Sequence, residues 1–355
     1  MGDIILIRPH CRENVKTHRL STILEESLKG YSYNTISTVE EFHSLQNKKI
    51  LFAISLGESG INLELYALLK KIRLDKTCLE DSVAGIIIDG DSELYTKSVA
   101  REITLSANMS GCTFPGRPLV EGTKSLENYN IIAKNLDTDN FDAYIQSGKT
   151  LVRQIMKFEP PKHRKPKLLV LHASSYETSN TVNLWEMVKE HLEEDCEIKD
   201  ISIRNGAVLD CIGCPYTTCM HYGEKNSCLY GGVIVKEVYP AILECDALIM
   251  LCPNYNDAIS ANLSAFINRL TALFRKTRFY DKYLFAVVIS GYSGSDIVAQ
   301  QLIAGLNMNK TFILPKRFTM METANNPKSI FKAEGIEKRA KDFAENILLQ
   351  LKGDD

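Results

Sequence analysis

The feature that most narrows the folds open to this chain is a series of short apolar runs separated by amphipathic stretches. In the second half, residues 168–172, 247–252, 284–290 and 311–314 are almost wholly apolar, and 197–203 is a weaker run of the same kind. A strand without a polar face is covered on both sides, as parallel strands joined by helices are and most antiparallel hairpins are not. The intervening stretches carry helical spacing. In 181–194, Val182, Trp185, Val188 and Leu192 fall on one face, and in 258–276 so do Leu263, Phe266, Ile267, Leu270, Leu273 and Phe274. Further helices are predicted at 233–243, 296–306 and 335–351. The pattern predicts a doubly wound α/β domain with a five-stranded parallel sheet.

The first half repeats the theme less regularly, with strands expected at 4–7, 50–55 and 83–89 and helices at 17–29, 61–73, 93–109 and after Asn140. Between the halves, residues 157–167 hold Pro160, Pro161 and Pro166, and five of the eleven are Lys or Arg. Prolines withhold backbone donors and the charges resist burial, which describes an exposed connection. The expected division is therefore a first α/β domain at 1–157, a linker at 158–166 and a second domain at 167–355, consistent with a length of 355 residues.

Charge bounds the function. Lys plus Arg number 42 and Asp plus Glu 44, a net charge of −2, and no basic run of nucleic-acid length occurs. No apolar run approaches the roughly 18 residues of a membrane span. The start, Met1 to Pro9, lacks the charged, apolar and small-residue regions of a secretion signal. The expectation is a cytoplasmic protein without nucleic-acid or membrane partners, its ten cysteines reduced.

Ligands of open parallel sheets bind beyond the carboxyl ends of the strands, so the loops there carry the chemistry. Residues 173–181 are rich in Ser and Thr and run into a helix, which suits a phosphate as well as it suits ordinary helix capping. Residues 253–260 begin Pro253-Asn254-Tyr255-Asn256, able to face a planar heterocycle, and Ser290-Gly291-Tyr292 lets backbone approach a ligand closely.

From Leu168 onward the chain resembles the NADPH-dependent FMN reductase and iron-sulfur flavoprotein group of the flavodoxin-like superfamily. The likeness is carried by Ser179-Asn180-Thr181, by Pro253-Asn254-Tyr255 followed by Phe266-Ile267-Asn268-Arg269, and by Cys211-Ile212-Gly213-Cys214 between them. It implies FMN, its phosphate on Ser174, Ser179, Asn180 and Thr181 and its ring near Pro253, Asn254, Tyr255, Asn256, Ser290, Gly291 and Tyr292. It also implies NAD(P)H as co-substrate and a homodimer. The chain departs from the group at Ser175-Tyr176-Glu177, where the group carries Arg or Lys, and at Gly231-Gly232, where it carries paired acids. In the first half the corresponding loop, Arg8 to Thr17, keeps neither the hydroxyl run nor Asn-Thr, so that domain is expected to be a degenerate relative without a flavin site.

Cys211, Cys214, Cys219 and Cys228 form C-x2-C-x4-C-x8-C, with wider gaps than the compact motif of iron-sulfur flavoproteins. Three states stay open: a [4Fe-4S] cluster, a tetrahedral zinc with His221 as a substitute ligand, or thiols without metal. Cys245 and Cys252 lie in or beside apolar runs and are expected in the core. His10, His172 and His191 are scattered, and residues 112–117, a Gly/Pro-rich stretch with Arg117, are read as a turn ending a strand in preference to a contact with the flavin of a neighbouring domain. No nucleophile constellation is found, as suits chemistry that resides in a cofactor. The reading is an NAD(P)H-dependent flavin oxidoreductase serving a small-molecule or protein electron acceptor. The alternative is an electron carrier or structural module without its own turnover; against a dedicated carrier, which is strongly acidic, the near-neutral charge argues.

Overall fold

A computed structural model describes residues 3–11, 18–174, 178–204 and 208–353, and the chain divides into two units, Met1–Glu159 and Pro160–Asp355. In each, the apolar runs form parallel ladders because strands buried on both faces have only each other to satisfy their backbone groups.

The first unit runs β1 (Ile4–Ile7), α1 (His18–Leu28), β2 (Tyr33–Ile36), β3 (Lys49–Leu56), α2 (Leu63–Leu74), β4 (Ser82–Gly90), α3 (Thr96–Met109), β5 (Cys112–Thr113), β6 (Leu119–Gly122), α4 (Asn130–Leu136) and α5 (Asn140–Lys157). The sheet order is β2-β1-β3-β4-β5, with β6 also on β4, and every pair is parallel. Leu20, Ile23 and Leu24 of α1 share one buried cluster with Leu151, Val152 and Ile155 of α5. The two helices close up at Gly148, where an added Cβ would strike the Ser27 hydroxyl.

The second unit runs β7 (Lys167–His172), α6 (Asn180–Lys189), β8 (Glu197–Ser202), α7 (Tyr216–Gly223), α8 (Tyr239–Glu244), β9 (Ala247–Pro253), α9 (Ala261–Phe274), β10 (Tyr283–Ser290), α10 (Ser295–Leu302), β11 (Thr319–Thr323) and α11 (Ile336–Leu351). Its five strands are parallel in the order β8-β7-β9-β10-β11. Numbered within the unit this is 2-1-3-4-5, the flavodoxin-like order. Helices α8 and α10 adjoin π-helical turns, Ile234–Val238 before the former and Ile303–Met308 after the latter. Each predicted helix there, at 233–243 and 296–306, is thus part α and part π.

The fifth strand is displaced from its expected place. Of 311–314, only Ile313 bridges β10, at Tyr283, and the ladder resumes at Ala286 with Thr319. Three steps on β10 therefore face six on the edge. Thr311 and Arg317 have positive φ, +69° and +50°, and Pro315 lies between them, so the chain leaves the extended state although Phe312, Ile313 and Leu314 are fully buried. The first unit breaks its last strand in the same register. Val83 pairs with Thr113 and Ile86 with Leu119, again three steps facing six, around Pro115 and an Arg117 at φ +56°. In both units the last helix donates a side-chain amide to the broken segment, Gln154 to the Gly116 carbonyl and Asn346 to that of Lys316. The two units are variants of one architecture.

Trp185, the single tryptophan, is wholly buried on α6. Trp185→Ala should lower stability by about 3–5 kcal/mol, measured as a reduced denaturant midpoint by circular dichroism; an unchanged midpoint would contradict the packing described.

Candidate functional site

The carboxyl ends of β7, β9 and β10 bring the loops singled out in the sequence to one edge of the second sheet. β7 delivers Ser174, and three residues of the following loop, Ser175, Tyr176 and Glu177, lie outside the described residues. Ser179 is the N-cap of α6, its hydroxyl accepting from the Val182 N–H at 3.4 Å. Thr181 is buried. The Ser174 backbone N–H donates to His172 Nδ1 at 3.3 Å, and His172 Nε2 faces the Asp200 carboxylate of β8 at 3.1 Å. His172, a scattered histidine in sequence, thus sits under the loop as part of its scaffold.

Asn180 is committed to the protein itself. Its Nδ2 donates to the carbonyls of Ala324 (3.1 Å) and Asn326 (2.8 Å), and its Oδ1 accepts from the Ile330 N–H (3.3 Å). What it offers a phosphate at the helix start is its backbone N–H, with the other free amides of the first turn. The loop it holds follows β11 and was missed by sequence reasoning. The signal was present in Asn325-Asn326-Pro327, a turn directly after a strand.

Beyond β9, Pro253 ends the strand and Tyr255 pairs with Ala258 across a two-residue turn, with Asn256 at φ +53° and Asp257 at +57°. Asn254 ties this loop to the next, its Nδ2 donating to Ser290 Oγ (3.1 Å) and the Ser293 carbonyl (3.0 Å). Ser290 Oγ lies 2.7 Å from Ser295 Oγ. Gly291 stands where a Cβ would come within 2.8 Å of Asn325 Oδ1, and Asn325 Nδ2 donates to the Tyr292 hydroxyl at 2.8 Å. Tyr255 and Tyr292 are 59% and 81% exposed, presenting two rings at an open edge.

This edge is short of hydrogen-bond partners. Ser174 Oγ, Ser202 Oγ, Asn254 Oδ1 and Ser260 Oγ are buried polar atoms with no partner among the described residues; the first three stand at or just beyond the carboxyl ends of β7, β8 and β9, and Ser260 is the N-cap of α9. Such orphans are scarce in folded proteins. A hydroxyl lacking an acceptor before a helix N-terminus, together with an amide oxygen lacking a donor near a loop of Pro and Tyr, fits a phosphorylated heterocycle and hence FMN.

The cysteines fall into two groups. Cys78, Cys112, Cys196, Cys245 and Cys252 are buried, and burial pushes the thiols of Cys78 and Cys196 up to about 11 and that of Cys245 to about 12. Cys211 is exposed, and Cys214, Cys219 and Cys228 are partly so. These four line one cavity of about 130 Å³. Among the described residues, however, no three His, Cys, Asp or Glu side chains are arranged to hold a metal ion. The iron-sulfur cluster and the zinc held open by the cysteine spacing thus have no support in the described residues; Gly213, Gly231 and Gly232 in and beside this segment are all at positive φ.

In the first unit, residues 12–17 of the corresponding loop lie outside the described residues. Arg19 reaches from the first turn of α1 to Asp89 at the end of β4, with Nε and Nη2 at 2.8 and 2.9 Å from the two carboxylate oxygens. It also donates to the carbonyls of Gly90, Thr123 and Lys124. A saturated ion pair spans this carboxyl edge, where the second unit has orphaned hydroxyls.

The second unit is thus a flavodoxin-like α/β unit with a polar ligand edge. In the comparisons, residues 166–326 match the sequence model of the NADPH-dependent FMN reductase family. No curated protein matches the chain. Among solved structures, the chain is similar to an NADH:FMN oxidoreductase in its apo form (18% identity, 54% of this chain and 92% of that one, TM-score 0.37). It is similar also to an NAD(P)H:quinone oxidoreductase from Methanothermobacter marburgensis (15%, 52% and 96%, TM-score 0.40) and an azoreductase from Bacillus anthracis (17%, 51% and 98%, TM-score 0.38). Among the described residues no helix is long and apolar enough to cross a membrane.

The Arg19–Asp89 pair yields a test with a definite sign. Burial, opposed by the guanidinium, holds the Asp89 carboxyl above its ordinary range. Arg19→Met removes the opposing charge and should cost about 3 kcal/mol at neutral pH. Without the guanidinium the folded-state pKa of Asp89 rises further, so as pH falls the variant's native state takes up its proton before the wild type's does, and the deficit should shrink. Urea unfolding of both proteins at pH 7 and pH 5 checks this; a deficit equal at both would refute it.

Proposed function

We propose that the second unit is an FMN-dependent oxidoreductase that takes reducing equivalents from NADH or NADPH and delivers them to a small-molecule or protein acceptor. The observation that carries the reading is the set of orphaned polar atoms at the carboxyl edge, Ser174, Ser202 and Asn254, with Ser260 at the N-cap of α9, and the family match over residues 166–326 supports it. The first-turn amides at Ser179, Asn180 and Thr181 and the Ser174 hydroxyl would take the phosphate. Pro253, Asn254, Tyr255 and Asn256 and the Ser290-Gly291-Tyr292 turn would border the ring. FMN, when bound, supplies the two-electron chemistry, and the chain supplies position and shelter. Asn254 fixes the two ring loops to each other, and Asn180 fixes the phosphate end to the loop after β11.

The exposed Tyr255 and Tyr292 leave the ring side of this edge open, and in this reading a second copy of the chain covers it as a homodimer. Light scattering at micromolar concentration should return a dimer; a flavin-saturated monomer would remove this part of the proposal.

Purified protein should be yellow, release FMN on heating, and bleach anaerobically with NADH or NADPH. Ser174→Ala, which removes one phosphate donor, should weaken FMN binding by about tenfold, read by fluorescence titration of the apoprotein. Recovery of FAD alone, or no flavin uptake on reconstitution, would overturn the assignment.

A further inference from the structure

The start of α6, where the reading above seats the FMN phosphate, has no cation of its own. Residues 168–188 contain no Lys or Arg, and Glu177 in the loop before the helix adds a negative charge. A phosphate monoester carries about −1.5 to −2 at neutral pH, and a helix N-terminus offers roughly half a unit of positive charge. Most of the phosphate charge is therefore unmatched by the loop and helix that receive it. Ser174, 5% exposed with an unpartnered hydroxyl, is a second mark of a polar ligand at this end.

Asn180 fastens another loop to the same helix start. The Asn326 carbonyl accepts from Asn180 Nδ2 at 2.8 Å and from the Ser329 N–H at 3.0 Å, and the Ile330 N–H donates to Asn180 Oδ1 at 3.3 Å. The bond between Asn326 and Ser329 closes a turn over Pro327 and Lys328, with Lys328 at φ +61° and ψ +10°. Pro at the second position and a positive φ at the third define a type II turn, whose third position favours Gly. A lysine there carries a backbone strain that glycine would not. Its side chain is exposed, and among the described residues its ammonium takes part in no ion pair or hydrogen bond. Residues 323–333 contain no Asp or Glu, and Glu322 is engaged by Arg339. We propose that Lys328 supplies the counter-charge to the FMN phosphate from the loop after β11, and so selects phosphorylated flavin over riboflavin. The four-carbon stem carries the ammonium from the turn toward the helix start, and Asn180 holds the turn in place. This assignment rests on the FMN reading of the second unit.

The test is titration of the full-chain apoprotein with FMN and with riboflavin, followed by flavin fluorescence at low and at high salt. Lys328→Gln should weaken FMN binding about fivefold and leave riboflavin binding unchanged. Its FMN affinity should also fall less steeply with salt than that of the wild type. Lys328→Arg should retain FMN affinity, and Lys332→Gln, which removes the next cation in the chain, should show no loss selective for FMN. Lys328→Gly separates the ligand from the turn: it should weaken FMN as Lys328→Gln does while the thermal midpoint of the apoprotein holds or rises. Equal losses for FMN and riboflavin, an FMN affinity unchanged in Lys328→Gln, or a loss of the same size in Lys332→Gln would each overturn the role of Lys328 and leave the FMN reading standing. A wild-type apoprotein that takes up neither flavin would overturn the FMN reading itself, and this assignment with it.

Discussion

The hydrogen-bonded ladder of β7, β9 and β10 is the constraint on which the second unit depends. Leu168 to Leu171, Ala247 to Cys252 and Tyr283 to Val288 are at most 1% exposed, so their amides and carbonyls have no solvent and must pair strand to strand. With all pairs parallel, every connection is a crossover, and every carboxyl end emerges on the same edge. Because β7 lies between β8 and β9, the chain leaves it first to one side and then to the other. The crevice at that reversal is where Ser174 and Asn254 stand with unsatisfied atoms. The ligand edge is thus a consequence of burying the strands, and side chains only select what it holds.

The first unit shows how little is needed to change that selection. It has the same strand order and the same broken fifth strand, yet its edge carries Arg19 against Asp89 where the second unit carries hydroxyls. Asp89 is 3% exposed and lies within reach of the Tyr144 hydroxyl. Replacing neutral donors by a matched ion pair satisfies the edge internally and removes the electrostatic reason for an anionic ligand to enter.

What was legible in the sequence follows burial. The inner strands were visible because they have no polar face. β2, Tyr-Asn-Thr-Ile, was not, because three of its four residues are exposed at the sheet edge and it reads as loop. The fifth strand was misplaced for the opposite reason, since Phe312 to Leu314 are buried without being a ladder. Apolar run length reports burial and does not report pairing. At the site, residue types found the loops, but the geometry reassigned Asn180, whose side chain serves the loop after β11. A helix-start asparagine reads the same in sequence whether its amide faces a phosphate or a neighbouring carbonyl.

The cysteine segment is where spacing says least. Four thiols within eighteen residues suggested convergence on a metal, and they do share one cavity, but sharing a wall does not make a coordination sphere. The more informative residue is Arg269, which the sequence marked only as the last residue of the Phe266-Ile267-Asn268-Arg269 stretch that carries the family resemblance. Its backbone carbonyl accepts from the Tyr239 hydroxyl at 2.5 Å, and its guanidinium binds carbonyls on both sides of the cysteine segment. One side chain thus pins the ends of the loop and leaves a charge inside it. A guanidinium is costly to bury, and what offsets that cost here is its planar fork, which reaches two separated carbonyls at once from a single helix position.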